Sequence, residues 1–173
     1  MDHYIPKRRI PVSLWSSDLP GFAGSVFLDL DAAGNQHQTV LEKLNESTRF
    51  VPVAVGPEGR IQLVNKSRVA RVAAGRGVVP GDIFARGFRP WREEHAEVLL
   101  SDGTTLAGRI WMPLERETQR VSDFMNQRGC EFFALLTPVA VHLINTAAVV
   151  NIQVSEAAGA PAADEGRGVP AAA

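Results

Sequence analysis

Residues 96–112, AEVLLSDGTTLAGRIWM, contain the pattern that decides the fold of this chain. Short runs rich in apolar residues lie on both sides of Ser101-Asp102-Gly103-Thr104, and short apolar runs bounded by turn residues are typical of β-strands. An Asp-Gly pair readily supplies the positive φ angles of a type I′ hairpin turn. The stretch therefore predicts two antiparallel strands, 96–100 and 105–112, joined by a tight turn.

The same pattern occurs earlier in the chain, at a nearly constant separation. The matched positions are Ser17/Ser101, Gly24/Gly108, Val40/Val121, Asn45/Asn126, Leu63/Leu143, Asn65/Asn145 and Val69/Val149. Repetition of this kind indicates two copies of one small domain.

A short helix follows the second strand of each copy. Thr39 and Glu42 have the spacing of a capping box, which starts a helix at Val40. Val121 and Phe124 repeat the apolar face in the second copy. Helices of about two turns are unstable without packing. We therefore expect each helix to cover the open end of a small barrel.

Further apolar runs complete each copy as strands. In the first copy they span 50–55, 60–64 and 68–72, and in the second 132–136, 140–144 and 148–154. Pro52 lies within the first of these runs and predicts an edge strand or a bulge there, because proline lacks a backbone donor.

The segment 132–155 has no charged residue, but we do not expect it to span a membrane. Its counterpart 50–72 carries Lys66 and Arg71, among other charges that are costly in a bilayer. Both segments are therefore predicted to be buried strands.

Together these elements predict a mainly β fold with short helices: two tandem small β-barrel domains from an internal duplication, each with one short helix inserted. The predicted units are an N-terminal arm (1–10), the first barrel (11–73), a connector rich in glycine, proline and aromatic residues (74–95), the second barrel (96–156) and a disordered tail (157–173).

The second copy carries a recognisable set of motifs. They are Val98-x-Leu100-x-Asp102-Gly103, Gly108, Arg120-Val121-Ser122-Asp123-Phe124-Met125-Asn126, Phe132-Phe133, Leu143-Ile144-Asn145 and Val149. This set resembles a short bacterial domain of unknown function that occurs singly or in tandem, and more distantly the Sm-like small β-barrels. The resemblance implies a small barrel in each copy and no established activity. Asn65-Lys66 and Asn145-Thr146 stand where Sm-like proteins place an Arg-Gly pair that holds RNA, and the helix lies inside the barrel sequence.

Composition restricts the class of protein further. The 173 residues are 45% hydrophobic with a formal net charge of −1, so the chain as a whole is not a polycation that seeks nucleic acid. Cys130 is the only cysteine, which excludes an internal disulfide and suits a cytoplasmic location. No apolar run follows the basic residues near the start, so we predict no secretory signal.

Positive charge is concentrated in the middle of the chain. Arg76, Arg86, Arg89 and Arg92 lie among aromatic residues, a mixture typical of single-stranded nucleic-acid binders. These arginines are candidate anion or nucleic-acid contacts. The alternative is that they bridge the two domains, or two copies of the chain, by pairing with nearby glutamates such as Glu93.

Three aromatic residues of the connector are candidate interface anchors. Phe84, Phe88 and Trp91 are larger than a free linker usually carries, so we expect them to dock inside the chain or on a partner.

Four asparagines are the polar positions that recur in both copies: Asn45, Asn126, Asn65 and Asn145. Asparagine side chains cap backbone groups at helix ends and tight turns, so we interpret these four as local structural positions.

The sequence shows no catalytic constellation. The four histidines lack metal-ligand spacing, and Cys130 has no histidine near it in sequence. We therefore predict no catalytic residue, cofactor, metal or small-molecule substrate. The predicted function is that of a non-enzymatic binding or scaffold protein with a regulatory or assembly role. Its expected partner is another protein or a second copy of itself; the alternative is single-stranded RNA bound by the basic central stretch.

Overall fold

A computed structural model describes residues 7–16, 20–30, 38–75, 77–84, 91–113 and 120–155, and of Trp91 only the backbone. These residues form ten strands and three short α-helices. The strands are β1 (Lys7–Ser16), β2 (Phe22–Asp29), β3 (Phe50–Val55), β4 (Arg60–Asn65), β5 (Val69–Ala74), β6 (Trp91–Leu100), β7 (Thr105–Pro113), β8 (Phe132–Leu136), β9 (Val141–Asn145) and β10 (Val149–Ser155). The helices are α1 (Val40–Asn45), α2 (Pro80–Ile83) and α3 (Val121–Met125), and single 3-10 turns lie at Lys66–Arg68 and Thr146–Ala148.

All ten strands belong to one antiparallel sheet with the order β10-β6-β7-β8-β9-β5-β1-β2-β3-β4. We term β1–β5 with α1 the first half, and β6–β10 with α3 the second half. The strand order is β5-β1-β2-β3-β4 in the first half and β10-β6-β7-β8-β9 in the second. The predicted mainly β class with short helices is confirmed.

The predicted pair of closed barrels is wrong, because the described strands form one open sheet. Val72 of β5 pairs with Leu143 of β9, so the edge that would close the first half is occupied by the second. Among the described residues, β4 and β10 each have a single neighbouring strand. The sheet therefore ends in two open edges.

Corresponding strand pairs have the same register in both halves. The matched pairs are Val12–Gly24 with Ala96–Gly108, Phe50–Asn65 with Phe132–Asn145, and Ser16–Val69 with Leu100–Val149. We term two residues equivalent when they occupy corresponding places in these ladders. Leu63 and Leu143, each two residues before the paired asparagine, are equivalent in this sense.

Strand β8 contributes to two apolar clusters, one on each face. Phe132 and Ala134 belong to the cluster built mainly from the first half, whereas Phe133 and Leu135 belong to that of the second. Burial on both faces explains why this run has no polar alternation. The charge-free segment forms β8, β9 and β10, and no described helix is long and apolar enough to cross a membrane.

The sequence predicts the start of the first helix correctly, but it predicts the wrong type of hairpin turn. The capping box is confirmed: Glu42 N donates to Thr39 Oγ1 at 3.1 Å and Thr39 N donates to Glu42 Oε2 at 2.7 Å. At the hairpin only Gly103 has a positive φ, 82°. A type I′ turn needs two such residues, so that prediction is wrong. Asp102 instead accepts a hydrogen bond from Thr104 N at 2.8 Å.

Three strand predictions also need correction. Strand β1 begins at Lys7, inside the predicted arm, and β6 begins at Trp91, inside the predicted connector. Strand β3 lies between β2 and β4, so Pro52 is not on an edge strand, and the β3–β4 register shows no bulge there. Pro52 is tolerated because the β2–β3 ladder stops at Val53, so no β2 carbonyl requires its missing N–H.

Gly108 allows β7 and β8 to approach closely, and this contact can be tested. A Cβ atom at Gly108 would lie 2.5 Å from the Leu136 carbonyl oxygen. We expect Gly108→Ala to lower the free energy of unfolding by about 1–3 kcal/mol, as overpacking does. The matched control is Gly81→Ala, where a Cβ would meet nothing within 4 Å. Urea unfolding of both variants checks this, and equal midpoints would contradict the close approach.

Candidate functional site

The two halves meet where β5 pairs with β9, and we term this ladder with its flanking contacts the central junction. Arg71, Val72 and Ala73 of β5 lie opposite Ile144, Leu143 and His142 of β9. Val72 and Leu143 are both buried in the first-half cluster. The junction is therefore a continuous sheet with an apolar core and not a surface contact between two domains.

Asn145 connects the two halves across the central junction. Its amide nitrogen Nδ2 donates to the carbonyl oxygens of Lys66, at 3.1 Å, and Val69, at 2.9 Å. Its oxygen Oδ1 accepts from Ala147 N at 2.9 Å. The predicted local cap thus explains the bond to Oδ1. The buried Nδ2 has a different role, because it donates to backbone carbonyl oxygens of the other half.

Asn45 makes a second bridge from the end of α1. Its Nδ2 donates to the Phe132 carbonyl oxygen at 2.9 Å, and Phe132 N donates to its Oδ1 at 2.8 Å. The β7–β8 ladder ends at Trp111–Ala134, before it reaches Phe132. The Asn45 side chain therefore supplies the backbone partner that β7 does not provide.

Lys66 is buried beside the same bridge, an unusual place for a lysine. Its Nζ donates to the carbonyl oxygens of Leu44, at 2.9 Å, and Glu46, which closes the end of α1. The Nζ also lies 3.9 Å from Glu131 Oε2 of the second half. The Lys66 side chain therefore stabilises the fold by satisfying backbone carbonyl oxygens at the end of α1.

The equivalent asparagines are Asn65, which ends β4 at one open edge, and Asn126, which follows the last residue of α3. Asn65 Oδ1 accepts from Ser67 N at 3.2 Å and from Ser67 Oγ at 3.0 Å. Asn126 Nδ2 donates to Ser122 O of its own helix at 2.7 Å. Within the described ranges neither amide reaches a second strand. The two asparagines that bridge the junction thus have counterparts with only local bonds.

Apolar side chains at the open edges are exposed where their equivalents are buried. Leu63 on β4 is 69% exposed, whereas Leu143 on β9 is 1% exposed. Val150 on β10 is 61% exposed, whereas its equivalent Ala70 on β5 is 1% exposed. Phe50, on β3 next to the outer strand β4, is 46% exposed, whereas its equivalent Phe132 is 1% exposed. Exposed apolar side chains beside strand edges that no described strand pairs mark a binding surface at each end of the sheet.

Two features of the sequence point to this surface. Ile61 and Leu63 alternate with polar residues, a pattern typical of a strand with one covered face. In the structure that apolar face is not covered by any described residue, as both side chains are more than half exposed. The second feature is the apolar pair Leu63 and Leu143, which recurs at matched positions of the two copies.

Of the predicted anchors, Phe84 packs inside the chain. Its ring contacts Trp111 of β7 edge to face, with the centroids 5.2 Å apart. Beside it Asp82 receives two hydrogen bonds from the Arg8 guanidinium, at 3.0 and 2.9 Å. Trp91 has backbone pairing with Pro113, and Phe88 lies outside the described residues. The described part of the connector is thus docked onto both halves.

The predicted anion contacts are only partly described. Arg92 is paired with Glu94, whereas Arg76, Arg86 and Arg89 lie outside the described residues. Arg71 lies over the Trp15 ring, 4.0 Å from its centroid. Nucleic-acid binding by the central stretch therefore stays a prediction.

Cys130 lines a cleft of about 180 Å³ between α1 and α3, with Leu41, Trp111 and Phe124. Burial raises the pKa of its thiol to about 11, so the sulfur is protonated at neutral pH and a weak nucleophile. Among the described residues, no three histidine, cysteine, aspartate or glutamate side chains form a metal-binding group.

His142 makes the central junction sensitive to acid. Burial, helped by the nearby Arg71 charge, lowers the pKa of His142 below its ordinary value of 6.5, and its Nδ1 has no hydrogen-bond partner. The unfolded chain therefore binds a proton first as the pH falls below 6.5, and the free energy of unfolding decreases there. We expect His142→Gln, which installs the residue found at the equivalent Gln62, to reduce this loss. Urea unfolding midpoints of both proteins at pH 7.5 and pH 5.5 test this. An equal fall in the midpoint of both proteins between these pH values would contradict it.

No family model, no curated protein sequence and no solved structure matches this chain. The fold and the site define a mainly β protein whose described strands form one antiparallel sheet, continuous through a central junction and open at both ends.

Proposed function

We propose that this protein is a non-enzymatic binding or scaffold module of the bacterial cytoplasm that acts through protein–protein contacts. One observation carries the proposal: at both ends of the sheet no described strand pairs with the outer edge, and exposed apolar side chains lie there, Leu63 at β4 and Val150 at β10. An exposed edge strand adds a further strand by backbone hydrogen bonding, with side-chain contacts that select the partner.

An internal duplication explains why the two edges have this character. We infer that each half is a copy of one five-stranded unit, since strand order and register agree between the halves. In the first copy, β5 is joined to the second copy, and β4 is left open. In the second copy, β9 is joined and β10 is left open. Each copy thus retains one of the two surfaces that the central junction uses.

The proposal can be tested by placing a photo-crosslinking phenylalanine analogue, p-benzoylphenylalanine, at single positions in cells of the source organism. Positions Leu63 and Val154 report on the two edges, and Val139, an exposed apolar residue in the β8–β9 turn, is the matched control. We expect protein adducts at both edges and none at position 139. Equal adduct yields at all three positions, or no adduct at either edge, would overturn the proposal.

A further inference from the structure

The two open edges are complementary to each other, because each is the equivalent of one side of the central junction. Strand β4 is equivalent to β9, and β10 is equivalent to β5. The same chain therefore carries, at opposite ends of its sheet, both partners of a ladder that it already forms internally. No described strand pairs β4 with β10 within one chain.

We propose that β4 of one chain pairs antiparallel with β10 of a second copy and so repeats the central junction between chains. This inference rests on the proposed function and names its partner. Transferring the register of the junction predicts three intermolecular pairs: Asn151 with Val64, Ile152 with Leu63, and Gln153 with Gln62.

Side-chain chemistry agrees with this register. Residues at every second position of a strand share a face, so Leu63 and Ile61 face the same way, as do Ile152 and Val154. The register places Leu63 beside Ile152, which is half-buried against the second-half cluster, and Ile61 beside Val154. The exposed side chains of Ile61, Leu63 and Val154 then lie on one face. The equivalent pair inside the chain, Leu143 with Val72, is buried.

Polar groups flanking the ladder agree as well. Asn145 Nδ2 donates across the junction to Lys66 O and Val69 O. The equivalent Asn65 Nδ2 donates to no described carbonyl, and in the proposed pairing it reaches Thr146 O and Val149 O of the second copy. Asn126 of that copy then takes the place of Asn45 and meets the backbone of Phe50, whose ring becomes covered as Phe132 is.

The contact joins two different surfaces, so it is head to tail. Each chain that uses its β4 edge still presents β10, and addition continues until a ring closes or a filament forms. We expect light scattering to give a mass that is a whole multiple, at least two, of the 18.7 kDa chain. Leu63→Lys should shift it to the single-chain mass. A wild-type protein that stays at 18.7 kDa at all concentrations, or a Leu63→Lys variant with unchanged mass, overturns the inference.

Disulfide trapping tests the register and the polarity together. In a Cys130→Ala background, verified as folded by circular dichroism, single variants Gln62→Cys and Gln153→Cys are prepared and oxidised separately or mixed. We expect a linked two-chain species only in the mixture. The matched control mixes Val139→Cys with Gln153→Cys and should give none.

Other results of the trapping experiment speak against the inference. Linking within either single variant alone would show that like edges pair, and equal linking with Val139→Cys would show collision only. No linking in the mixture would mean that another occupant covers the edges, such as a segment of the same chain. Photo-adducts at position 63 with a different protein, together with a single-chain mass, would overturn self-assembly while leaving the proposed binding function intact.

Discussion

Leu143→Lys is expected to prevent folding, whereas Leu63→Lys at the equivalent position is expected to leave the fold intact. Leu143 is buried in the central junction, within the apolar first-half cluster. Burying an unpaired ammonium destabilises a protein by more than about 4 kcal/mol, which is comparable with the whole stability of a small domain. Leu63 lies on the open edge, where a surface substitution changes stability by about 0.5 kcal/mol or less.

Circular dichroism and urea unfolding measure this difference. The two variants should be compared at a dilution at which both run as single chains, so that association does not contribute to the midpoint. A folded Leu143→Lys protein with a midpoint near that of wild type would show that β5 and β9 do not form the central junction. The Leu63→Lys variant is also the chain needed for the mass measurement, since an edge lysine opposes strand addition.

Asn145→Asp is expected to lower the free energy of unfolding by at least about 3 kcal/mol, because it removes the buried donor that reaches two carbonyl oxygens of the other half and places a carboxylate against them. The Asn145 donor atom serves two such oxygens, and a carboxylate in its place repels both. At the equivalent position, Asn65 uses only its oxygen, to accept from Ser67. Asn65→Asp retains that acceptor, so we expect its unfolding midpoint to equal that of wild type within error.

Comparison of these two aspartate variants separates a local cap from a cross-junction bridge. If both asparagines act only as caps of the following 3-10 turn, the two substitutions will have equally small effects. Asn65→Asp should nevertheless weaken self-assembly, because the proposed contact between chains uses the same donor that Asn145 uses within one chain. For Asn65→Asp we therefore expect a lower assembly mass in light scattering and an unchanged free energy of unfolding.

Much of the local structure could be predicted from the sequence. The capping box at Thr39 and Glu42 was identified because its residues lie within one helical turn of each other. The charge-free run that forms β8 was recognised as a strand because its counterpart carried charges. Both signals depend on neighbours in the chain or on the repeat, so they are visible without tertiary structure.

The functional surface could not be predicted in the same way. Asn65 and Asn145 have the same local sequence signal and the same cap, yet only Asn145 also binds backbone of the other half. Leu63 and Leu143 are the same residue type in equivalent strands, yet Leu63 is exposed and Leu143 is buried. Their environments depend on which strand lies beside them, and this information is absent from the local pattern.

The sequence by itself determined the mainly β class, the short helices and the order of elements in each half, because side-chain periodicity and capping are local. Only the tertiary structure decided that β5 pairs with β9 of the other half, so that one open sheet forms in place of two closed barrels. Strand edges carry the same backbone donors and acceptors whichever strand they meet. Long-range packing therefore decides which strands pair, and here the deciding contact is the burial of Val72, Leu143 and Phe132 in a shared core.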